Sequence, residues 1–298
     1  MKEQNNFHHV KESTLEKRAH KADYGKEKIR ILYKDRDIVV IEKPSGMLCV
    51  PYPGSKARTV LSVLTSLLSH EKGSPVPLVV HRLDRDTSGV MMFALNEAAQ
   101  KRIMDTWHTM VTERIYRAVA ENPRKNPLAD EGLIDAPLAF NSHTMGYVPP
   151  LGDKSAKTVP ARTHFRVIER GKTHTLFELS LDTGKKNQIR AHLSSRGYPL
   201  AGDENYRAKT DPFHRLALHA RTLCFVHPFT KEEMRFEIPE PQEWLLTVKN
   251  GAKNEVPAWR KQGKNEKNRD IIQGERKLTK KQISKMDFIE QMKYLHGK

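Results

Sequence analysis

The chain reads LVVHRLDRDTSG at residues 78–89, an apolar run followed by a charged segment that a glycine closes. A short apolar run of this kind is typical of a buried strand. A strand that leaves the core into a polar segment presents side chains at a sheet edge or cleft. Asp84 is the candidate nucleophile, because Arg82 and Arg85 on either side favour its ionised form. The alternative for an arbitrary run of this composition is a salt-bridged surface turn.

The sequence before this segment alternates between strand and helix patterns. Residues 38–42 (IVVIE) are closed by the Pro and Gly of residues 43–46, which predicts a strand and a turn. Leucine and valine recur at helical spacing over residues 60–68, which predicts one apolar helix face. We expect a second strand at residues 77–80, and Asn96 is a suitable N-cap for the next helix.

The rest of the centre has mainly strand patterns. Residues 121–160 are rich in Pro, Gly and Asn, which indicates hairpins and long loops. Extended segments are expected at residues 114–120, 163–168, 175–181 and 215–226. The sequence therefore predicts an α+β fold, with a mixed, mostly antiparallel central β-sheet flanked by two or three helices and loops, and a central active-site cleft.

The overall composition indicates a basic protein. The 298 residues carry a formal net charge of +16, with a sequence pI near 9.7, which favours a polyanionic partner such as nucleic acid. A mean hydropathy of −0.68 and the lack of a long apolar run argue against a membrane protein. The start, MKEQNNFHHV, has no apolar signal core, and Cys49 and Cys224 form no CxxC pair, so we expect a cytoplasmic protein. We also expect a monomer, because no heptad seam is evident.

Composition also divides the chain into three parts. Residues 1–26 are a polar, basic N-terminal extension, residues 27–250 are the folded centre, and residues 251–298 are a basic linker followed by an amphipathic helix. Thr279 and Gln282 form the capping box of that helix, and apolar residues follow at helical spacing. We expect this helix either to pack on the folded centre of the chain or to bind nucleic acid.

Several familiar catalytic signatures are missing from the sequence. There is no GxGxxG, no P-loop, no HExxH, no GxSxG and no zinc-deaminase pattern. The chain has 14 histidines, but His214, His219 and His227 lack carboxylates or cysteines at ligand spacing. We therefore expect structural or RNA-facing roles for them, and the sequence predicts no metal and no cofactor.

The segment HRLDRDTSGVMMFALN (residues 81–96) resembles the HRLDxxTSG signature of the RluA-type RNA pseudouridine synthases. The resemblance spans residues 30–240 and implies that residues 27–250 form a catalytic domain of the pseudouridine synthase fold. The other motifs occur in the family's order and are ILYKDRDIVVIEKPSGMLCVP (31–51), ERIYRAVA (113–120), ARTHFRV (161–167), LDTGKKNQIRAHLSSRGYPLAGDENY (181–206) and RLALHARTLCFVHPFT (215–230).

This resemblance implies roles for individual residues. Asp84 would be the nucleophile, attacking either ribose C1′ or uracil C6. Tyr116 would stack on the uracil and accept its C5 proton, and Arg190 would pair with Asp84. Arg82 would fill the gap left by the flipped base, and Leu216 would help to wall the uracil pocket. The full set expected to contact RNA or the base is His81, Arg82, Leu83, Lys185, Asn187, Gln188, His192 and Leu216.

One family motif is altered in this chain. The family's TGRxHQ is here TGKKNQ, so Lys185 and Asn187 replace an arginine and a histidine. Both can still donate to phosphate or backbone. The implied function is an RNA pseudouridine synthase that isomerises specific uridines in rRNA or tRNA. The alternatives are a non-catalytic RNA-binding or ribosome-assembly factor on the same fold, and a glycosylase that uses Asp84 and Asp86 as its acid and base.

Overall fold

The computed structural model describes residues 29–51, 57–69, 75–142, 144–153 and 155–251. The predicted N-terminal extension and C-terminal amphipathic helix lie outside these residues. The described strands are β1 (Arg30–Lys34), β2 (Ile38–Lys43), β3 (Leu78–Val79), β4 (Ser88–Ala94), β5 (Val111–Glu121), β6 (Glu131–Asp135), β7 (Ala139–Phe140), β8 (Gly146–Tyr147), β9 (Arg162–Arg170), β10 (His174–Leu181), β11 (Leu218–Val226) and β12 (Glu233–Glu237). The described helices are α1 (Val60–Leu68), α2 (Glu97–Met110), α3 (Gln188–Ser195) and α4 (Gln242–Asn250).

A ten-stranded sheet forms the centre of the fold. Its path is β1-β2-β4-β11-β5-β10-β9-β6, with β3 paired to β4 and β12 paired to β11. Strands β4 and β11 pair in parallel, and the other strands of this sheet pair in antiparallel fashion. Strands β7 and β8 form a separate hairpin. The mixed, mostly antiparallel sheet predicted from sequence is therefore confirmed.

Local patterns account for the elements that were predicted. Helix α1 begins at a capping box formed by Thr59 and Ser62, and α2 begins where Asn96 accepts the N–H of Ala99 at 2.8 Å. Strand β2 covers the predicted apolar run at residues 38–42. The described chain has four helices rather than two or three, because the sequence reading missed α4 and the helical course of α3.

Glycine is required where β4 meets β11. Gly89 has φ +119°, and a Cβ on it would lie 2.1 Å from the carbonyl oxygen of Ala220. A side chain at this position would therefore both strain the backbone and collide with β11. The glycine that ends the charged segment lets the parallel pairing bring β4 against the centre of the sheet.

The helices cover both faces of the sheet in two pairs. Clusters around α1 and α3 lie on one face and clusters around α2 and α4 on the other. Tyr116 of β5 packs against both the α1 cluster and the α3 cluster. Tyr116 therefore lies where the α1 and α3 clusters meet. Within the described residues, no helix is long and apolar enough to cross a membrane.

Candidate active site

The loop that carries Asp84 is held by the turn that follows β2. Lys43 is fully buried, and its Nζ donates to the carbonyls of Pro44 (2.9 Å), Arg85 (2.7 Å) and Thr87 (2.8 Å). The hydroxyl of Ser45 donates at 2.7 Å to the carbonyl of Asp86, which lies between Arg85 and Thr87 in the sequence. Burial lowers the pKa of Lys43 to about 8. Three consecutive carbonyls of the loop are thus bound by one turn.

The carboxylate of Asp84 meets two side chains from the start of α3. Its Oδ2 accepts the amide N–H of Asn187 at 2.7 Å and the guanidinium of Arg190 at 3.1 Å. Its Oδ1 has no hydrogen-bond partner among the residues that the structure describes. The side chain of Asp84 is 25% exposed, so the carboxyl group is not sealed in the core.

Arg190 is fixed from its other side by a second carboxylate. Its Nε and Nη2 donate to the two oxygens of Asp203 at 2.7 and 2.8 Å, and its Cζ lies 5.0 Å from the ring centre of Tyr206. Burial opposes the charge on Arg190, but the hydrogen bonds and charges of Asp203 and Asp84 raise its pKa above the ordinary value. Arg190 is therefore a permanent cation beside Asp84.

Tyr116 reaches the same cleft through the register of the sheet. It pairs with Ala220 of β11, and Ala220 pairs with Gly89 of β4. Burial raises the pKa of Tyr116, Arg114 opposes that shift, and the charge of Asp84 adds to it. The phenol therefore stays neutral near pH 7, and both roles expected from sequence, stacking on the uracil and acceptance of its C5 proton, stay predictions.

Three of the residues expected to contact RNA make hydrogen bonds to protein groups. Gln188 is 2% exposed and His192 is 0% exposed, and this burial argues against the RNA contacts expected for them from sequence. His192 accepts from Thr163 at 2.8 Å and donates to a backbone carbonyl at 2.9 Å, which uses both ring nitrogens. His81 accepts the N–H of Met92 at 2.9 Å, and burial lowers its pKa to about 3. These hydrogen bonds hold the side chains against the protein.

The other expected contact residues lie around the cleft. Arg82 and Lys185 are exposed, while Leu83 and Leu216 are 8% and 4% exposed and belong to the two clusters on the Tyr116 face. Arg85 pairs with Asp86 at 3.1 Å rather than with Asp84. The expectation from sequence was that Arg82 and Arg85 act on Asp84 through their nearby charge, and that expectation stays a prediction.

Asp86 does not form an acid and base pair with Asp84. Both residues lie in the loop before β4 and not on a strand, and the Asp86 carboxylate binds Arg85. The glycosylase alternative loses its basis, because its two carboxylates would have to face one substrate.

His227 has carboxylate neighbours that its sequence spacing did not reveal. Possible ligand atoms of Asp35, Asp37 and His227 lie within 4.8 Å of one another. The Nδ1 of His227 accepts the N–H of Thr230 at 3.0 Å, so its proton is on Nε2, which lies 2.9 Å from Asp35 Oδ2. A protonated nitrogen is no cation ligand, and this buried nitrogen makes no hydrogen bond within the described residues, so the group carries no metal assignment.

Two important residues were missed by sequence reasoning. Lys43 binds the backbone of the Asp84 loop and Asp203 binds Arg190, yet the sequence analysis assigned no role to either residue. Both stand inside motifs that the sequence analysis quoted, KPSG and GDENY. Their positions in those motifs were the available signal.

Comparison with known proteins identifies the class. Residues 37–195 match the family model described as RNA pseudouridylate synthase. An RNA pseudouridine synthase of Bacillus subtilis named YlyB is 37% identical over 233 residues, 75% of this chain and 73% of that protein. The ribosomal large subunit pseudouridine synthase D of Yersinia pestis is 33% identical over 234 residues, 73% of this chain and 69% of that protein.

Solved structures agree on the fold. Human RNA pseudouridylate synthase domain containing 1 has a TM-score of 0.60 at 22% identity, covering 86% of this chain and 98% of that chain. Human RNA pseudouridylate synthase domain containing 4 has a TM-score of 0.58 at 24% identity, covering 72% and 90%. The sheet, the Asp84 cleft and these matches define an isomerase that acts on RNA. The chain belongs to the RNA pseudouridylate synthase family, in its RluA-type branch.

Proposed function

We propose that Asp84 is the nucleophile that isomerises uridine to pseudouridine in this enzyme. The proposal rests on the different surroundings of the two carboxylate oxygens of Asp84. Two donors bind Oδ2, whereas Oδ1 has no partner in the described residues. A carboxylate nucleophile needs an available lone pair and a neighbouring cation that attracts it. Oδ1 and Arg190 meet these two needs.

The reaction moves the uracil without adding or removing atoms. The C1′–N1 bond breaks, C1′ bonds to C5, the C5 proton leaves and N1 gains a proton. Asp84 either forms an ester with C1′ as N1 departs, or adds to C6 of the ring. Both routes require one free carboxylate oxygen and a base flipped out of its stack. Tyr116 offers the flipped ring an aromatic face, and Leu83 and Leu216 offer apolar walls.

We propose rRNA or tRNA as the substrate class. The name of the Yersinia pestis relative refers to the ribosomal large subunit, which supports rRNA. Exposed Arg82 and Lys185 beside the cleft supply phosphate contacts, so binding should weaken steeply as salt increases. A flipped base is easiest to obtain from a single-stranded loop. The target uridine is therefore expected in an rRNA or tRNA loop.

The first experiment compares wild type with Asp84→Asn. RNA from a strain lacking this enzyme, labelled with tritium at uridine C5, should release tritium with the wild type. The Asn variant should show no release above background, because a neutral amide is no nucleophile. Mapping of pseudouridines in the same RNA would identify the target. Full activity of the Asn variant would refute the role of Asp84.

RNA binding of the same variant separates catalysis from binding. Asp84→Asn is expected to retain RNA affinity, because it removes no phosphate contact. If neither protein releases tritium from any RNA although both bind it, the non-catalytic binding factor becomes the better account. Monomeric state, cytoplasmic location and independence of metal and cofactor stay predictions. Chelator-treated protein in the tritium assay tests independence of metal.

A further inference from the structure

The altered family motif places an asparagine directly on the proposed nucleophile. Asn187 Nδ2 donates to Asp84 Oδ2 at 2.7 Å, across 103 residues of sequence. We propose that Asn187 is a positioning residue, which holds the Asp84 carboxylate so that Oδ1 faces the substrate. This inference rests on the proposed role of Asp84, and it replaces the phosphate or backbone contact expected for Asn187 from sequence.

Two donors on one oxygen fix the direction of a carboxylate. Arg190 reaches Oδ2 at 3.1 Å, but it is itself locked on Asp203 and supplies charge from one side. A single contact would let the carboxylate rotate about the Cβ–Cγ bond of Asp84. The second contact, from Asn187, restrains that rotation, and the unpaired oxygen is then held in one place.

The backbone of Asn187 is suited to this task. Its φ is 57° and its ψ is 19°, a left-handed conformation that asparagine tolerates better than most residues. Asn187 is also the residue before α3 begins, yet its side chain makes no capping hydrogen bond to the helix. The side chain does not cap the helix with its amide oxygen, and its amide nitrogen donates to Asp84.

The β7–β8 hairpin supports the neighbouring residue. Lys186 Nζ donates to Thr144 Oγ1 at 2.6 Å, and a Cβ on Gly146 would lie 2.6 Å from the carbonyl oxygen of Lys186. The hairpin therefore packs tightly on the peptide that precedes Asn187. This packing holds the left-handed turn in place and limits how far the amide can move.

A variant without the amide tests the inference. Asn187→Gly removes the side chain but keeps a residue that adopts positive φ easily, so the turn is preserved. We expect kcat for tritium release to fall by about 10²-fold while KM for RNA stays close to wild type, because misplaced reacting groups slow chemistry without weakening binding. Asn187→Asp keeps the shape and should fall further, since a second carboxylate repels Asp84.

Lys185→Ala is the matched control, two residues away on the same loop. Lys185 is exposed, so its loss should raise KM and reduce the salt dependence of RNA binding, with little change in kcat. Thermal unfolding of all variants should show that Asn187→Gly remains folded at the assay temperature. The contrast between the two variants separates positioning of Asp84 from binding of phosphate.

Three outcomes would overturn the inference. The first is an Asn187→Gly variant with the wild-type kcat. The second is an increase in KM with unchanged kcat, which would return Asn187 to phosphate binding. The third is equal kcat for the Gly and Asp variants at a level close to wild type. A wild-type protein that isomerises no RNA would instead refute the proposed function, so the two failures are distinguishable.

Discussion

Lys43 and Arg190 are both buried cations that hold the Asp84 loop, and they have different partners. Lys43 binds backbone carbonyls, whereas Arg190 binds the carboxylates of Asp203 and Asp84. Burial lowers the pKa of Lys43 to about 8, whereas the carboxylates raise that of Arg190 in spite of burial. Neutral dipoles offset little of the cost of burying a charge, and ionised partners offset most of it.

The two regions also act on different parts of the loop. The turn with Lys43 and Ser45 binds the carbonyls of residues 85–87, so it sets the backbone. The start of α3, with Asn187 and Arg190, binds the Asp84 side chain, so it sets the chemistry. Substitutions in the turn with Lys43 and Ser45 should therefore lower mainly the free energy of unfolding. Substitutions at the start of α3 should lower mainly kcat, unless they leave a buried charge unpaired.

Asp203→Asn is expected to have the largest effect on stability. The variant leaves Arg190 buried with Asp84 as its remaining carboxylate, and such breaks of buried pairs cost about 3–5 kcal/mol. Denaturant unfolding measures the loss, and kcat should fall as well because Arg190 is no longer held. Asp182→Asn is the control, since the Asp182 side chain is 40% exposed and surface ion pairs contribute about 1 kcal/mol or less. Equal losses in the two variants would contradict the assigned role of Asp203.

Lys43→Met should have an intermediate effect that depends on pH. Unsatisfied carbonyls cost about 1–3 kcal/mol at pH 7. The pKa of Lys43 is about 8 in the folded chain and 10.5 for an ordinary lysine, so between these values the unfolded chain binds more protons and the wild type gains stability as pH rises. The gap between wild type and variant should therefore widen over this window, by up to about 1.4 kcal/mol per pH unit.

The control for this experiment is Lys101→Met, whose native side chain is 83% exposed. Its gap to wild type should stay near zero and flat between pH 7 and 10. A gap for Lys43→Met that is constant, or that narrows as pH rises, would show that Lys43 does not carry a lowered pKa. Arg190 stays charged across the whole range and should add no such slope.

The sequence predicted the elements of this fold better than their contacts. Periodicity located β2, α1 and β10, because these elements follow from local patterns of apolar residues. The contact of Asp84 with Asn187 joins residues 103 apart, and no local pattern encodes it. The residues adjacent in sequence, Arg82 and Arg85, were expected to act on Asp84 through their nearby charge, and the ion pair that the structure shows for Arg85 is with Asp86.

The family resemblance identified residues that meet in the site, but it did not show how their side chains are arranged. Asp84 and Arg190 were named as a pair, and the structure places them 3.1 Å apart. Gln188 and His192 stand in the same motif and face the core, because α3 is a helix whose successive residues point in different directions. A motif read as a string does not distinguish the side chains that face the substrate from those that support the fold.

Tyr206→Phe is expected to have the smallest effect on stability and turnover. It tests which contact links the β7–β8 hairpin to Asp84. The Tyr206 hydroxyl donates to the carbonyl of Gly146, and its ring lies against Arg190. The Phe variant keeps the ring and loses one hydrogen bond, so we expect a loss of about 1 kcal/mol in unfolding free energy and almost no change in kcat. The hairpin contacts the site by two routes, through Tyr206 to Arg190 and through Lys186 to Asn187. A large loss of kcat in Tyr206→Phe would assign the support of Asp84 to the first route, whereas an unchanged kcat beside a slow Asn187→Gly would assign it to the second.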